Sequence, residues 1–188
     1  MIDAHKTSSP LQELTAAIRN TVGRTEGNDG IATLVANTLE PFLLRPDLLS
    51  EGQRAGDPLG YRQHILHIES DGSFSVVALV WLPGQRTPIH DHLSWCVVGV
   101  YEGEESERRY TLAEKVDGSR LIPNGRTTTN PIHTACGFAP PGDIHEVWNS
   151  SDKTTISIHV YGADISKLGS SIRRHYPRSL SETRTLTN

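Results

Sequence analysis

The sequence predicts an all-β barrel or sandwich preceded by a short helical segment. From Tyr61 onward, apolar runs such as FSVVALVWL, WCVVGVY and TTISIHVYG are separated by Gly, Pro, Asp and Asn turns, with no helical spacing among them. Before Tyr61, apolar residues recur instead at helical intervals. At 188 residues the chain has room for one domain with a real core and is short for two.

Composition narrows the partners. An apolar content of 36% and a charged content of 21% describe an ordinary globular protein. A formal net charge of -4 gives no reason to expect nucleic acid or an anionic membrane as partner. No apolar run approaches the ~20 residues of a membrane span, and MIDAHKTSSPLQEL lacks the apolar core of a secretory signal. The two cysteines, Cys96 and Cys136, form no C-x-x-C and no disulfide framework. A reducing, cytoplasmic location is therefore expected. Nine histidines against one methionine is a skewed balance that matters only if several of them converge.

In chain order, residues 1–9 are polar. LQELTAAIRNTV places Leu11, Leu14, Ile18 and Val22 on one helical face, with Pro10 in the first turn. After the breaker cluster GRTEGNDG, Asp29 is the expected cap of a second helix carrying Ile31, Leu34, Val35 and Leu39. Pro41 ends that helix or starts another turn, and FLLRPDLLSEGQRAGDPLG reads as loop and short helix. YRQHILHIE and FSVVALVWL form a hairpin through Asp71-Gly72. Strands TPIHDH and WCVVGVYEGEESERRYTLA follow, then a polar excursion, then HTACGFAP, DIHEVWNSS and TTISIHVYG. The acidic run EGEESE reads as a solvated loop. The organisation expected is a helical segment over 1–60 packed on a barrel over 61–165. A basic tail over 166–188 would wrap back over the barrel mouth.

Chemistry concentrates in GQRTPIHDHLSWCVVGVYEG, where His90 and His92 stand two apart. Strand residues at i and i+2 share a face, so both imidazoles aim into one small volume, as a transition metal requires. A third histidine, His145, follows the tight turn Pro140-Pro141-Gly142-Asp143 at the start of a strand. In SIHVYG, Ser157, His159 and Tyr161 fall at i, i+2 and i+4, a hydroxyl, an imidazole and a phenol on one strand face. Such a row either forms a hydrogen-bond relay beside a metal or a polar ladder on an exposed face. His64 and His67 read as packing or surface groups. His133 lacks the turn context of His145, and Trp81, Trp95 and Trp148 read as filling the barrel or lining its mouth.

These motifs resemble the cupin superfamily, the small double-stranded β-helix barrel. Its first motif, G-x5-H-x-H-x3-E-x6-G, is matched by Gly84, His90, His92 and Gly103, with Cys96 where the glutamate should stand. Its second, P-x-G-x2-H-x3-N, is matched by Pro140, Gly142, His145 and Asn149. Losing that carboxylate leaves three neutral imidazoles and no anionic ligand, a site able to accept an anionic thiolate as an added ligand.

Taken with the Ser-His-Tyr row, the stretch from Tyr61 to Tyr161 is similar to the cysteine dioxygenase family of thiol dioxygenases. The resemblance implies Fe(II) held by His90, His92 and His145, with Ser157, His159 and Tyr161 as the neighbouring relay. It implies a small thiol and O2 as reactants and a sulfinate as product, with Tyr161 hydrogen-bonding the substrate or the oxygen. In mammalian-type members a cysteine on this strand forms a thioether with the tyrosine. Cys96 stands one residue closer to His92 than that pattern, so proximity to Tyr161 is expected and the crosslink is open against a packed free thiol. Gln63 agrees with the glutamine-type bacterial subgroup, which resembles 3-mercaptopropionate dioxygenase, although an alternative register puts His64 there. The substrate carboxylate would then need a tail cation, Arg173 or Arg174. Cysteine is the runner-up substrate. The rival readings are a cupin using another metal and a non-catalytic metal-binding sensor.

Overall fold

The computed structural model describes residues 8–24, 27–114 and 118–180. Helix α1 (Pro10–Val22) starts from a Ser9 capping box, in which Ser9 Oγ accepts from Gln12 N and the Gln12 side chain accepts from Ser9 N. Pro10 takes the first turn, and Leu14 and Ile18 are fully buried. Helix α2 (Asn28–Leu39) is capped by the backbone of Gly27; Asp29 lies inside the helix, so the cap expected there is displaced by two residues. Ala32, Val35, Ala36 and Leu39 form the buried face, and Leu34, expected among them, is 45% exposed. Two 3-10 turns, Glu40–Leu44 and Glu51–Arg54, complete the helical segment.

Eleven strands follow among the described residues: β1 (Arg62–Ile68), β2 (Ser75–Trp81), β3 (Ile89–His92), β4 (Cys96–Glu102), β5 (Glu105–Ala113), β6 (Arg120–Pro123), β7 (Thr128–Asn130), β8 (Ala135–Phe138), β9 (His145–Trp148), β10 (Thr155–Tyr161) and β11 (Ile172–Tyr176). The one-turn helix α3 (Ile165–Leu168) separates the last two strands. One sheet runs β1-β2-β10-β4-β8; the other runs β11-β3-β9-β5-β6, with β7 also on β5. All pairings are antiparallel. This is the cupin double-stranded β-helix that the two histidine motifs imply. No described helix is long and apolar enough to cross a membrane.

The central strands of the first sheet, β2, β10 and β4, are buried on both faces. Val77, Leu79 and Trp81 of β2 join Cys96, Val98, Phe138 and Tyr161 inside the barrel. Their alternates Val76, Ala78 and Val80 join α1 and α2 in a second cluster outside it. That double burial explains why FSVVALVWL is apolar throughout rather than alternating. The basic tail does more than cover the mouth. β11 adds to the second sheet beside β3, placing Arg174 opposite Asp91 and His175 opposite His90.

The acidic run departs from expectation. Only Gly103 and Glu104 form an exposed turn: Glu102 ends β4, and Glu105, 1% exposed, and Glu107, 6%, are buried on β5. Period-two alternation turns both carboxyls inward, where the site supplies partners that a loop reading does not anticipate.

The helix–barrel contact is closest at Gly137 of β8, where a Cβ would lie 2.3 Å from the carbonyl oxygen of Ala32. Backbone cannot yield as a side-chain tip can. Gly137→Ala is expected to cost about 1–3 kcal/mol, read in thermal unfolding as a fall of roughly 2–4 °C in Tm per kcal/mol. Gly52→Ala, with nothing within 4 Å of the new Cβ, is expected to leave Tm unchanged.

Candidate metal centre

Strand β3 is four buried residues, IHDH, and its alternation sends His90 and His92 inward while Asp91 faces β11. His145 opens β9 directly opposite His90. The three imidazoles each offer one ligand atom, and these atoms lie within 4.8 Å of one another. Their ring centroids are 4.6–5.0 Å apart.

Every ring has its Nδ1 engaged. His90 Nδ1 donates to the Pro88 carbonyl at 2.9 Å, His92 Nδ1 to Asp143 Oδ2 at 3.0 Å, and His145 Nδ1 to Glu107 Oε1 at 2.7 Å. Fixing the proton on Nδ1 leaves each Nε2 lone pair for a metal. The Nε2 of His145 is buried without a hydrogen-bond partner, a costly state for a polar atom that a bound cation relieves. The residues present therefore fit a three-histidine metal site. The Pro140–Asp143 turn serves it twice. It delivers His145 to β9, and Asp143 accepts from both the backbone N (2.8 Å) and the Nδ1 of His92.

Burial, with His145 and His92 beside it, lowers the pKa of His90 to about 2. Burial also lowers His92, against the opposing pull of Asp143. Neutral imidazole is the form that binds a metal. The supporting carboxylates are lowered too, for a different reason. Burial pushes Glu107 and Asp143 up, but the hydrogen bonds from His145 and His92 outweigh it, and both carboxyls stay below their usual range. Arg109 adds a second contact to Glu107.

The polar row on β10 faces the same interior. Ser157 Oγ is 2.9 Å from His159 Nε2, and His159 Nδ1 is 3.1 Å from the Tyr161 hydroxyl. All three residues are buried, so the ladder is not on an exposed face. Burial lowers His159 to about 3 and raises Tyr161 well above its usual value. Trp81, read from sequence as filler, donates from Nε1 to Ser157 Oγ at 3.0 Å. Cys96 stands opposite Tyr161 in the β4–β10 register, and both belong to the interior cluster.

The metal cluster shares one cavity with His159 and Tyr161 of the row, which leaves about 30 Å³ for the centres of water-sized groups. At ~10–15 Å³ per water that is room for small molecules only. Gln63 forms part of its exposed rim. Neither Arg173 nor Arg174 is brought to it: both guanidinium groups bond Asp91 Oδ2, at 2.6 and 2.7 Å, on the far side of β3. Ile172 of β11 faces the cavity, and a register shift between Ile172 and Arg174 breaks the alternation there, so that both arginines turn to Asp91. Sequence reasoning missed Ser170, Ser171 and Thr87 in the lining, and Glu107 and Asp143 beneath the imidazoles. For the glutamates a signal was present: Glu105 and Glu107 stand two apart, as His90 and His92 do.

A family model described as cysteine dioxygenase type I matches residues 56–172, more than half of the chain. Among solved structures, a conserved protein with a double-stranded β-helix domain from Klebsiella pneumoniae is 18% identical, over 62% of this chain and 89% of its own, with a TM-score of 0.48. The cupin domain of an XRE family transcriptional regulator from Enterobacter cloacae is 20% identical, over 63% and 99%, at 0.39. Oxalate decarboxylase from Bacillus subtilis is 14% identical, over 56% of this chain and 26% of its own, at 0.41.

Supporting carboxylates of this kind are worth about 10–100-fold in metal affinity. Asp143→Asn and Glu107→Gln are each expected to weaken metal binding by roughly that factor in competition titrations against a chromogenic chelator. Unchanged affinity in both variants would mean that the backbone alone fixes the rings.

Proposed function

The chain belongs to the cysteine dioxygenase type I family, and from that premise we propose that it is an iron(II)-dependent dioxygenase of small thiol carboxylates. The observation that carries the proposal is the shared cavity: three buried imidazoles on one wall and the end of a buried Ser-His-Tyr row on another. A metal-binding sensor has no need of the row. His90, His92 and His145 would hold the iron. The reaction is RSH + O2 → RSO2H, in which the thiol sulfur is oxidised and both oxygen atoms end in the sulfinate. Bound iron would supply Lewis acidity toward sulfur and the redox chemistry that O2 requires.

The residues of the chain do the rest. The Nδ1 contacts of Pro88, Asp143 and Glu107 hold the rings in their metal-binding tautomer before substrate arrives. Val98, Val147 and Ile172 wall the cavity from water, which strengthens each polar contact inside it. His159 orients the Tyr161 hydroxyl, which burial keeps protonated and so able to donate a hydrogen bond to the reactants.

We further assign 3-mercaptopropionate as the preferred substrate, ahead of cysteine. Cysteine carries an α-ammonium that needs an anionic acceptor, and none of the lining residues is a carboxylate. Gln63 would meet the substrate carboxylate at the rim, together with the Ser170 and Ser171 hydroxyls. The decisive measurement is steady-state turnover of the iron-loaded protein on 3-mercaptopropionate, L-cysteine and cysteamine in parallel. The expected order places 3-mercaptopropionate first. A higher kcat/KM for cysteine would overturn the substrate assignment, and no sulfinate from any thiol would overturn the activity.

The row supports a second prediction. His159→Ala leaves Tyr161 without its orienting partner and is expected to lower kcat/KM about 10–100-fold, equivalent to ~1.4–2.7 kcal/mol, with metal content unchanged. Wild-type turnover in this variant on every thiol tested would remove the row from the mechanism.

A further inference from the structure

Glu105 opens β5 as a buried carboxyl that the reaction described above does not use. The other buried carboxyls among the described residues each have an arginine or an imidazole within hydrogen-bond reach: Glu69, Asp91, Glu107, Asp143 and Glu146. Glu105 has neither. Its Oε2 has no hydrogen-bond partner and lies 3.9 Å from His159 Nε2. The side chains of Ser157 and Asn130 hydrogen-bond its carboxyl group.

Ser157 is the junction. Its Oγ accepts from Trp81 Nε1 and also faces His159 Nε2 and Glu105. A hydroxyl has one proton to give, so Ser157 donates either to the imidazole or to the carboxyl, never to both.

We propose that Glu105 is a positioning residue of the Ser157–His159–Tyr161 row, and that the proton on its carboxyl sets the direction of the row's hydrogen bonds and so whether Tyr161 donates to the substrate. The consequence for turnover rests on the thiol dioxygenase reading; the hydrogen-bond logic rests on the row alone. With Glu105 protonated, its O–H is donated to Ser157. Ser157 then donates to His159 Nε2, Nδ1–H donates to the phenol oxygen, and the Tyr161 proton turns away from the row toward Ser171 and the cavity. With Glu105 ionised, Ser157 turns its proton to the carboxylate. His159 then carries its proton on Nε2 and gives it to Ser157, and Tyr161 turns inward to donate to Nδ1. The row keeps its three protons in both arrangements; only the carboxyl proton is lost to solvent.

The charged and titratable groups facing Glu105 are Glu107 on its own strand, His159 and Tyr161 on β10, Cys96 on β4 and Cys136 on β8. Burial keeps His159 unprotonated and holds Tyr161 and both thiols in their protonated forms through neutral pH. Burial, with the nearby Glu107 charge, raises Glu105 to about 8. Tyr161 is therefore directed outward at neutral pH and inward above about pH 8.

The test pairs kinetics with a direct view of the imidazole. In the iron-loaded enzyme, kcat is expected to fall about tenfold per pH unit above the Glu105 titration. Glu105→Gln, whose amide always has a proton to give Ser157, should keep its kcat through that range. In a Tyr161→Phe background the same substitution should leave the profile unchanged, because the effect runs through the phenol. Nitrogen-15 imidazole spectra of the zinc-loaded protein, assigned by the signal lost in His159→Gln, should show wild-type His159 passing from Nδ1–H to Nε2–H as pH rises. Glu105→Gln should remain Nδ1–H throughout. A wild-type His159 tautomer that ignores pH would overturn the proposal whether or not the variants fold. So would an alkaline limb that survives in Glu105→Gln. If no thiol is turned over, the spectra still decide the row, and it is the activity reading that fails.

Discussion

Three imidazoles turned toward one buried volume, the Nε2 of His145 without a partner, are the constraint on which the rest of the structure depends. Buried polar atoms are expensive unless partnered, and a cluster of imidazoles repels itself once more than one ring takes a proton. The fold meets this by fixing every ring from behind. A carbonyl just before β3 holds His90, the turn before β9 holds His92, and a glutamate on β5 holds His145. These anchors come from separated parts of the chain, and the closed pair of sheets is what brings them to one place. The outer helices bury the back of the first sheet, so that β2, β4 and β10 cannot flex away from the cavity.

The supporting shell is as charged as the metal cluster is neutral. Asp91, Glu107 and Asp143 sit buried within one side chain of the imidazoles, and each remains ionised because a specific donor offsets its burial. Arg173 and Arg174 close on Asp91, with Tyr176 adding a third donor to the same Oδ2. A buried carboxylate left without such partners would cost several kcal/mol. The basic strand at the end of the chain therefore completes the back of the site rather than reaching into its front. Ile172, Ser170 and Ser171 are the part of that strand and its lead-in that faces the reactants.

Legibility in the sequence followed the range of the interaction. The His90/His92 pair, the Pro-Gly turn before His145 and the alternation of Ser157, His159 and Tyr161 are local patterns, and each could be read from a few residues. The barrel was legible for the same reason, as turns between apolar strands. What stayed hidden was decided by pairing across the chain. EGEESE looks solvated on composition, yet Glu107 meets His145 and Glu105 meets the Ser157 end of the row, contacts that exist only after β5 docks between β9 and β7. The tail arginines were misplaced because β11 has no apolar alternation to announce it; its register on β3 is set by Asp91. Trp81 was rightly read as buried, but its one polar atom mattered more than its bulk.

Cys96 standing where most cupins place a glutamate gains its meaning from the charge around the cavity. With three imidazoles as ligands and no carboxylate in the lining, a bound divalent cation would meet no anionic group of the cavity wall. A thiolate and a carboxylate on one small molecule supply two negative charges, which balance that cation without an arginine in the cavity. On the proposed reading a dianionic substrate would match that ligand set, and the neutral side chains at the rim would orient it. An anionic ligand in place of Cys96 would remove half of that complementarity and would press a buried charge against Tyr161 and Val98. A neutral, well-packed thiol keeps both the charge balance and the packing, and the same substitution leaves the phenol as the cavity's principal proton donor.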